Sequence, residues 1–290
     1  MSKPVKILVT GSNGQLGSEL RTLSTSYPEL LFEFTTQKEL SVTDAAAVDN
    51  IMSRFRPDYC INCAAYTAVD KAEEPGEALV AEKVNAEAVG ILASACKQES
   101  TRLVHLSTDY VFDGTATSPY QPDASTNPVS VYGKTKLKGE QLAAMYTDAI
   151  IIRTAWVYSP FGKNFVKTMI RLMTEKTSIG VVSDQYGSPT YANDLAKAIL
   201  DIITSGNWVP GIYHYTNEGT TSWYDFAVAI KELIRSNCVV NAIPTTAYPT
   251  PAKRPAYSVL DKTSFKNTFH IVVPYWESSL KKCIEILADT

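Results

Sequence analysis

Short runs of apolar residues alternate with longer segments of helical periodicity through the first half of the chain. The short runs predict buried strands at 5–10, 30–34, 59–64, 102–107 and 149–154. The longer segments predict helices at 18–23, 44–54 and 77–97, and a fourth that carries Tyr132 and ends near 145. Because parallel strands need crossover connections, this alternation predicts an α/β fold with a doubly wound parallel sheet.

The second half of the chain has a less regular pattern, and the change lies near residue 156. It predicts helices at 163–175, 193–204, 222–235 and 276–287, and short strands at 179–183, 211–215 and 238–243. We therefore expect two domains, at 1–155 and 156–290. The second is a smaller α+β domain, and we expect some of its segments to return to the first sheet.

A glycine-rich turn follows the first predicted strand. Gly11, Gly14 and Gly17 have the spacing G-x-x-G-x-x-G, and a helix-like segment comes next. Gly11 permits a tight turn, Gly14 lets the backbone approach a pyrophosphate, and Gly17 allows close packing of helix on strand. The N-terminus of the helix offers free N–H groups to phosphates. We therefore expect a Rossmann-type dinucleotide-binding domain at 1–155 and a mainly substrate-binding domain at 156–290.

Tyr132 and Lys136 are four positions apart, about one helical turn, so both side chains should point from one face. A neighbouring ammonium favours the phenolate, which would lower the pKa of Tyr132 and ease proton transfer near neutral pH. The spacing arises by chance in many helices. Here two further features support a functional interpretation of the Tyr132–Lys136 spacing. One is the glycine turn, and the other is Ser107-Thr108, which lies at the end of a predicted strand, where doubly wound sheets bind ligands.

Composition excludes several classes of function. The chain has 290 residues, of which 45% are hydrophobic and 20% charged, as is typical of globular proteins. Its net charge of −3 gives no electrostatic footprint for nucleic acid or an anionic membrane. No run approaches about 18 apolar residues and the N-terminus leads directly into a strand, so we expect no membrane span, no signal peptide and a cytoplasmic location. The odd number of cysteines, 5, argues against a disulfide framework.

Six ordered motifs resemble the dTDP-4-dehydrorhamnose reductase family, within the extended short-chain dehydrogenase/reductases. They lie at 62–73, 107–114, 131–136, 153–158, 184–190 and 247–255. The resemblance covers essentially the whole chain. The family reduces the 4-keto group of dTDP-4-dehydro-L-rhamnose to dTDP-L-rhamnose with NADPH or NADH, in the last step towards an activated sugar for cell-surface polysaccharide. The resemblance implies the same reaction here.

The resemblance also implies roles for the matching residues. Tyr132 would protonate the ketone oxygen as general acid, Lys136 would stabilise the tyrosinate and bind the nicotinamide ribose, and Thr108 would donate to the developing alkoxide. The other cofactor contacts would be Gly11, Gly14, Gln15, Leu16, Gly17, Ser41, Val42, Ala65, Tyr66 and Thr67. The sugar-nucleotide contacts would be Thr108, Asp109, Trp156, Lys253 and Arg254, of which the last two suit a diphosphate.

The chain departs from the family pattern at two places. The acidic residue expected about 20 positions after the glycine turn is missing, and Ser41 replaces a usual aspartate. Without that carboxylate, and with Lys38 nearby, a 2′-phosphate is acceptable, so we expect NADPH as cofactor, alone or beside NADH. Some family members hold Mg²⁺ at a dimer interface through glutamates. Glu19 fits one such position but Asn193 replaces another, so we expect no metal.

Other functions stay open at this point. A regulatory subunit of methionine adenosyltransferase is similar in sequence but is a non-catalytic partner protein, although retention of Thr108, Tyr132 and Lys136 favours catalysis. Another nucleotide-sugar reductase, an epimerase or a dehydratase is a further alternative. Dehydratases commonly carry a glutamate where this chain has Tyr110. The partners we expect are a small dTDP-sugar and, at most, a second copy of the chain in a homodimer, with no nucleic acid and no membrane.

Overall fold

The computed structural model describes residues 3–289. Its strands are β1 (Val5–Thr10), β2 (Leu30–Thr35), β3 (Tyr59–Asn62), β4 (Arg102–Thr108), β5 (Ile150–Thr154), β6 (Val157–Tyr158), β7 (Ser178–Val182), β8 (Tyr186–Gly187), β9 (Thr190–Tyr191), β10 (Gly211–His214), β11 (Thr221–Ser222) and β12 (Val239–Ile243). Its α-helices are α1 (Gln15–Ser24), α2 (Ala45–Phe55), α3 (Pro75–Glu82), α4 (Ala88–Gln98), α5 (Val131–Tyr146), α6 (Phe165–Glu175), α7 (Ala192–Ser205), α8 (Trp223–Leu233), α9 (Thr263–Phe269) and α10 (Trp276–Ala288).

A parallel sheet of six strands forms the centre of the molecule, in the order β10-β5-β4-β3-β1-β2. Ile7, Leu8 and Val9 of β1 have no exposed surface because helices cover both faces of the sheet, which explains the unbroken apolar run in the sequence. From β1 the chain first adds β2 on one side and then crosses back to add β3 on the other side, so the direction of winding reverses between β1 and β3. The carboxyl ends of these two strands therefore mark the switch point at which doubly wound sheets bind ligands. The predicted Rossmann-type α/β fold is confirmed.

Helices from both halves of the chain cover this sheet. On one face α1, α7 and α9 bury residues such as Leu20 and Ile199. On the other face α2, α4 and α5 bury residues such as Val48 and Leu92. Because β10, α7 and α9 come from the second half, that half contributes directly to the sheet and its cover. We retain 1–155 and 156–290 as a proposed division of the chain by function.

A second apolar core lies beside the sheet. It is formed by α6, α8 and α10 with the parallel pair β7 and β12. The segment after β12 returns across the carboxyl end of the main sheet, where the amide of Tyr257 donates to the carbonyl of Gly114 at 3.2 Å. The amide of Asp261 donates to the carbonyl of Tyr120 at 2.9 Å. These contacts connect the segment after the second core to the carboxyl end of the sheet, where the glycine turn also lies.

The helix predicted at 77–97 extends over 75–98 but is not regular. A π-helical turn at Lys83–Glu87 separates α3 from α4. Asn85 in this turn accepts from the amide of Tyr66 at 2.9 Å and donates to the carbonyl of Tyr66 at 3.0 Å. It also donates to the hydroxyl of Thr135 in α5 at 3.2 Å. Such π-turns are frequent at functional sites, and this one ties a predicted cofactor segment to the helix of Tyr132.

Several predicted boundaries need correction. Strand 59–64 ends at Asn62, because the side chain of Asn62 accepts from the amide of Ala64 at 3.2 Å and turns the chain. The short helix α9 was not predicted, since its threonine, serine, asparagine and phenylalanine residues have modest helix propensity. The two-residue strands β6, β8, β9 and β11 are too short to show any periodicity. No helix within 3–289 is both long and apolar enough to cross a membrane.

Candidate active site

The glycine turn after β1 adopts the geometry that its spacing predicts. Gly11 has a φ of +62°, and a Cβ there would lie 2.6 Å from the amide nitrogen of Ala64. A Cβ on Gly17 would lie 2.5 Å from the Cα of Ser12. Only glycine fits these two positions without moving backbone. Gly14 is exposed, so its backbone is open to a ligand at the N-terminus of α1.

Two adjoining cavities flank the glycine turn, each with a volume of about 390 Å³, which is in the range of small-molecule sites. Both are lined by Gly14, Cys63 and Ala65. The predicted cofactor residues that line the first are Gly11, Ser41, Val42 and Tyr66. Those that line the second are Gln15, Leu16, Thr67, Tyr132 and Lys136. The structure thus brings together all predicted cofactor residues except Gly17, which lies buried under the turn.

The side chain of Gln15 has a structural role within this site. Its Nε2 donates to the carbonyl of Val157 at 3.3 Å, and its Oε1 accepts from Asn164 at 2.9 Å. Both partners belong to the second half of the chain. Gln15 therefore fastens the segment after β6 against the N-terminus of α1, beside the second cavity.

Lys136 is buried on α5, with 2% of its surface exposed. Ser130 caps the N-terminus of this helix, since its hydroxyl accepts from the amide of Gly133 at 3.1 Å. The ammonium of Lys136 donates to the carbonyl of Leu106 in β4. Burial lowers the pKa of Lys136 to about 8, and the charge of Glu140 acts in the opposite direction. Lys136 can therefore lose its proton at a pH that is only slightly above neutral.

Tyr132 does not have the lowered pKa that the sequence predicted. Burial raises the pKa of Tyr132 to about 12, and a hydrogen bond with Thr108 opposes that shift only in part. The prediction of a lowered pKa is wrong because burial of the phenol has the largest effect, while the ammonium of Lys136 bonds to the Leu106 carbonyl. A tyrosine is protonated at neutral pH, the form that a general acid needs, but a pKa raised to about 12 makes it a weaker acid than a free tyrosine.

Thr108 and Asp109 stand at the carboxyl end of β4. The hydroxyl of Thr108 donates to Oδ1 of Asp109 at 3.0 Å and accepts from the amide of Tyr110 at 3.2 Å. Asp109 is buried, and this raises the pKa of its carboxyl to about 6, partly offset by hydrogen bonds. Within 3–289 its Oδ2 atom is buried without a partner of good hydrogen-bond geometry. The hydroxyls of Ser258 and Thr108 supply the side-chain hydrogen bonds that oppose the effect of burial on this carboxyl.

A buried ion pair supports Lys136 from one turn further along α5, and the sequence reasoning missed it. Glu140 accepts from Nε and Nη2 of Arg153 at 2.9 and 2.7 Å, and the two side chains are 2% and 3% exposed. The hydroxyl of Ser107 donates to the same carboxylate. An acidic residue four positions after Lys136 was the available signal, because that spacing places both on one helix face.

Trp156, a predicted sugar-nucleotide residue, has an unusual backbone conformation. Its φ is +50°, which is rare for a bulky residue and marks a constrained position. The indole stacks on Trp223, with ring centroids 3.5 Å apart, and a Cβ on Gly187 would lie 2.7 Å from it. Trp223 lines a third cavity of about 520 Å³ with Phe165 and Arg254. Trp223 was not among the predicted site residues, since a tryptophan opening an amphipathic helix also fits core packing.

The two predicted diphosphate residues differ in placement. Arg254 lines the third cavity and forms an ion pair with Asp70, at 2.8 Å from each carboxylate oxygen. Lys253 is exposed and is not among the residues that line this cavity. Asp70 was missed because its partner is 184 positions away, and nothing local in the sequence connects them.

No group of three or more histidine, cysteine, aspartate or glutamate residues in the described part of the chain is arranged to hold a metal ion. The carboxylate of Glu19 accepts from Ser159 at 2.7 Å and from Asn193 at 2.8 Å. Burial raises the pKa of Glu19. Two neutral donors therefore satisfy this carboxylate, including the asparagine that replaces a family glutamate.

Comparison with known proteins places the chain in a family. A family model described as the RmlD substrate binding domain matches residues 5–288. The chain is 42% identical over 290 residues to a dTDP-4-dehydrorhamnose reductase from Aggregatibacter actinomycetemcomitans. The aligned region covers 95% of this chain and 97% of the relative.

Solved structures agree with the sequence match. A dTDP-4-dehydrorhamnose reductase from Clostridium acetobutylicum has a TM-score of 0.93 at 41% identity, covering 98% of this chain and 100% of that one. The Bacillus anthracis enzyme of the same name, in complex with NADP, has a TM-score of 0.93 at 35% identity, with the same coverage of 98% and 100%. The chain therefore belongs to the dTDP-4-dehydrorhamnose reductase family, a family of oxidoreductases.

Proposed function

We propose that the chain reduces the 4-keto group of dTDP-4-dehydro-L-rhamnose to dTDP-L-rhamnose, using NADPH or NADH. The observation that carries this proposal is that Tyr132 and Lys136 line the cavity beside the glycine turn, with Thr108 hydrogen-bonded to the phenol of Tyr132. The names of the relatives point to the same reaction, and one of them was crystallised with NADP.

The bound nicotinamide would supply a hydride to the ketone carbon, and negative charge would develop on the ketone oxygen. Tyr132 is protonated at neutral pH, since its pKa of about 12 lies well above 7. It donates its phenolic proton to that oxygen as general acid. Thr108 lies within hydrogen-bonding reach of the phenol, and its hydroxyl stabilises the same developing charge.

Lys136 compensates the charge that proton transfer leaves on Tyr132. Its ammonium is buried one helical turn from the phenol, where a charge acts more strongly than in water. The hydrogen bond to Leu106 leaves two further N–H donors, one of which can bind the nicotinamide ribose. The ion pair of Glu140 and Arg153 fixes the next turn of the helix.

The first cavity suits the adenosine end of NADPH. No aspartate or glutamate of the described chain lines it, whereas Lys83 does, so nothing there repels a 2′-phosphate. Ser41 and Thr43 line the same wall, with their hydroxyls 2.9 Å apart. These groups can donate hydrogen bonds to a ribose or to its phosphate, which supports use of both cofactors.

The third cavity suits the nucleotide end of the sugar substrate. Trp223 and Phe165 give it aromatic walls, on which a base can stack. Arg254 lines the same cavity and supplies positive charge for a diphosphate. Asp109, next to Thr108 at the end of β4, is the residue that we assign to a sugar hydroxyl as hydrogen-bond acceptor.

The test is oxidation of NADPH by the purified chain with enzymatically made dTDP-4-dehydrorhamnose, beside UDP- and GDP-linked keto sugars. We expect one NADPH consumed per dTDP-keto sugar, and little turnover of the other two. An epimerase would show no net oxidation. Absence of oxidation together with tight binding to another enzyme would favour a non-catalytic binding module and contradict the proposal.

A further inference from the structure

Asp70 and Arg254 join two segments that are 184 positions apart in sequence. Nη1 of Arg254 donates to Oδ1 of Asp70 and Nη2 to Oδ2, each at 2.8 Å. This is a bidentate pair, the strongest geometry between these groups. The guanidinium lowers the pKa of Asp70 below its ordinary value, so the carboxylate is ionised at neutral pH. The pair is partly exposed, with 25% of the arginine and 40% of the aspartate side chain accessible.

The pair leaves one edge of the guanidinium available. A guanidinium carries five N–H donors in a plane. Nη1 also donates to the carbonyl of Ala252 at 2.9 Å, so both of its hydrogens are used. The remaining donors are the Nε–H and the second N–H of Nη2, which point from the same edge of the plane. This second fork has the spacing that two phosphate oxygens require.

Asp70 stands on a segment that is itself fixed to the active site. Its Oδ1 accepts from the amide of Ala252 at 3.2 Å, so the carboxylate also holds the backbone next to Arg254. Three positions further on, Glu73 accepts from the amide of Val131, at the start of α5, at 2.9 Å. Three positions earlier, Thr67 lines the second cavity. The segment of Asp70 therefore connects Arg254 to the start of α5, which carries Tyr132, and to the second cavity.

We propose that Asp70 is a positioning residue for the diphosphate of the sugar nucleotide. It occupies the Nη1–Nη2 edge of Arg254 and thereby presents the Nε–Nη2 edge to a nucleoside diphosphate bound in the third cavity. This inference rests on the proposed function, since it takes the ligand to be a nucleoside-diphosphate sugar. A free arginine would have to be ordered on binding, and the bond to Asp70 removes that cost before the ligand arrives.

The test is calorimetric titration of dTDP into the full chain and into the Asp70→Asn variant, with NADPH titrated separately. We expect the substitution to weaken dTDP binding about 3- to 10-fold, because one long side chain loses its preset orientation. We expect NADPH binding to stay within about twofold, since the general fold is intact. In turnover, KM for the sugar nucleotide should rise while kcat stays close to that of the wild type.

A double-mutant cycle separates this role from a general structural one. Asp70→Asn in an Arg254→Met background should cause no further loss of dTDP affinity, because the positioned group is gone. Glu33→Gln is the matched control, since it removes a surface pair with Arg54 and neither residue lines the first or the third cavity. It should change neither ligand's affinity.

Two results would overturn the role of Asp70. One is unchanged or tighter dTDP binding by Asp70→Asn, because tighter binding would mean that the carboxylate competes with the phosphate. The other is an equal loss of NADPH and dTDP affinity, which would indicate a structural defect. A wild-type chain that binds neither ligand would contradict the proposed function itself, so the two failures are distinguishable.

Discussion

Glu140 and Arg153 form an ion pair that is almost fully buried, one helical turn beyond Lys136. Three hydrogen bonds from Arg153 and Ser107 satisfy the carboxylate. A buried pair of this kind adds little net stability when intact, but removal of one partner leaves the other charge buried and unpaired. Removal of one partner should therefore destabilise the protein by more than the intact pair stabilises it.

We predict that Glu140→Gln lowers the free energy of unfolding by about 3 kcal/mol, because the charge of Arg153 loses its counter-ion. Urea denaturation of the two proteins measures the difference. Glu82→Gln is the control, since it removes the exposed pair with Lys138, for which a loss of at most about 1 kcal/mol is expected. Equal losses in the two variants would show that burial of the Glu140 pair is not decisive.

The pH dependence of the reaction should report on Lys136. Burial lowers the pKa of Lys136 to about 8, so its charge is present below that pH and is lost as the pH rises through it. We predict that kcat/KM falls above about pH 8, because deprotonated Lys136 no longer stabilises the tyrosinate. In Lys136→Arg the decline should move to higher pH, since arginine keeps its charge. A wild-type profile that stays flat to pH 10 would argue against this role.

The buried carboxylate of Asp109 should lower the stability of the fold at neutral pH. Burial raises the pKa of Asp109 to about 6, so its stabilising contribution is greatest below the unfolded value of about 3.9 and is lost as the pH rises through 6. At pH 7 we predict that Asp109→Asn is more stable by about 2 kcal/mol, while turnover falls because a substrate acceptor is lost. Unfolding measured at pH 4 and pH 7 tests the sign. A variant that is less stable at pH 7 would contradict it.

Cofactor choice should depend on Ser41. No carboxylate of the described chain lines the first cavity, and Ser41 replaces the acid that commonly binds the adenosine ribose. We predict that Ser41→Asp raises KM for NADPH at least about tenfold through repulsion of the 2′-phosphate, with much less effect on KM for NADH. Paired kinetics with the two cofactors measures this. A strong preference of the wild type for NADH would show that the cavity already excludes the phosphate.

Local sequence patterns predicted the sheet and the glycine turn well, because each depends on neighbouring residues. The apolar run at Ile7–Val9 and the glycines at 11, 14 and 17 act within one short segment. The pairings that hold the site together could not be predicted in this way, although Arg254 itself was predicted as a site residue. Asp70 and Arg254, or Glu140 and Arg153, meet only because the fold brings them together.

The error over Tyr132 has a similar cause. Spacing on a helix places two side chains on one face, but it does not say which acceptor the ammonium will choose. In the folded chain that acceptor is the carbonyl of Leu106, contributed by the neighbouring strand β4. The pKa of Tyr132 is then governed by burial. The acid role that we propose for Tyr132 does not depend on a lowered pKa, since it requires a phenol that is protonated when the ketone is reduced.

The most direct test of the account is turnover by Tyr132→Phe, which removes the phenolic proton and keeps the ring. With saturating NADPH and dTDP-4-dehydrorhamnose, we predict that kcat falls at least about 100-fold, as expected for loss of a general acid. KM for NADPH should change little, because the residues of the glycine turn are untouched. A Tyr132→Phe variant that keeps near-normal kcat would contradict the central claim that this tyrosine delivers the proton.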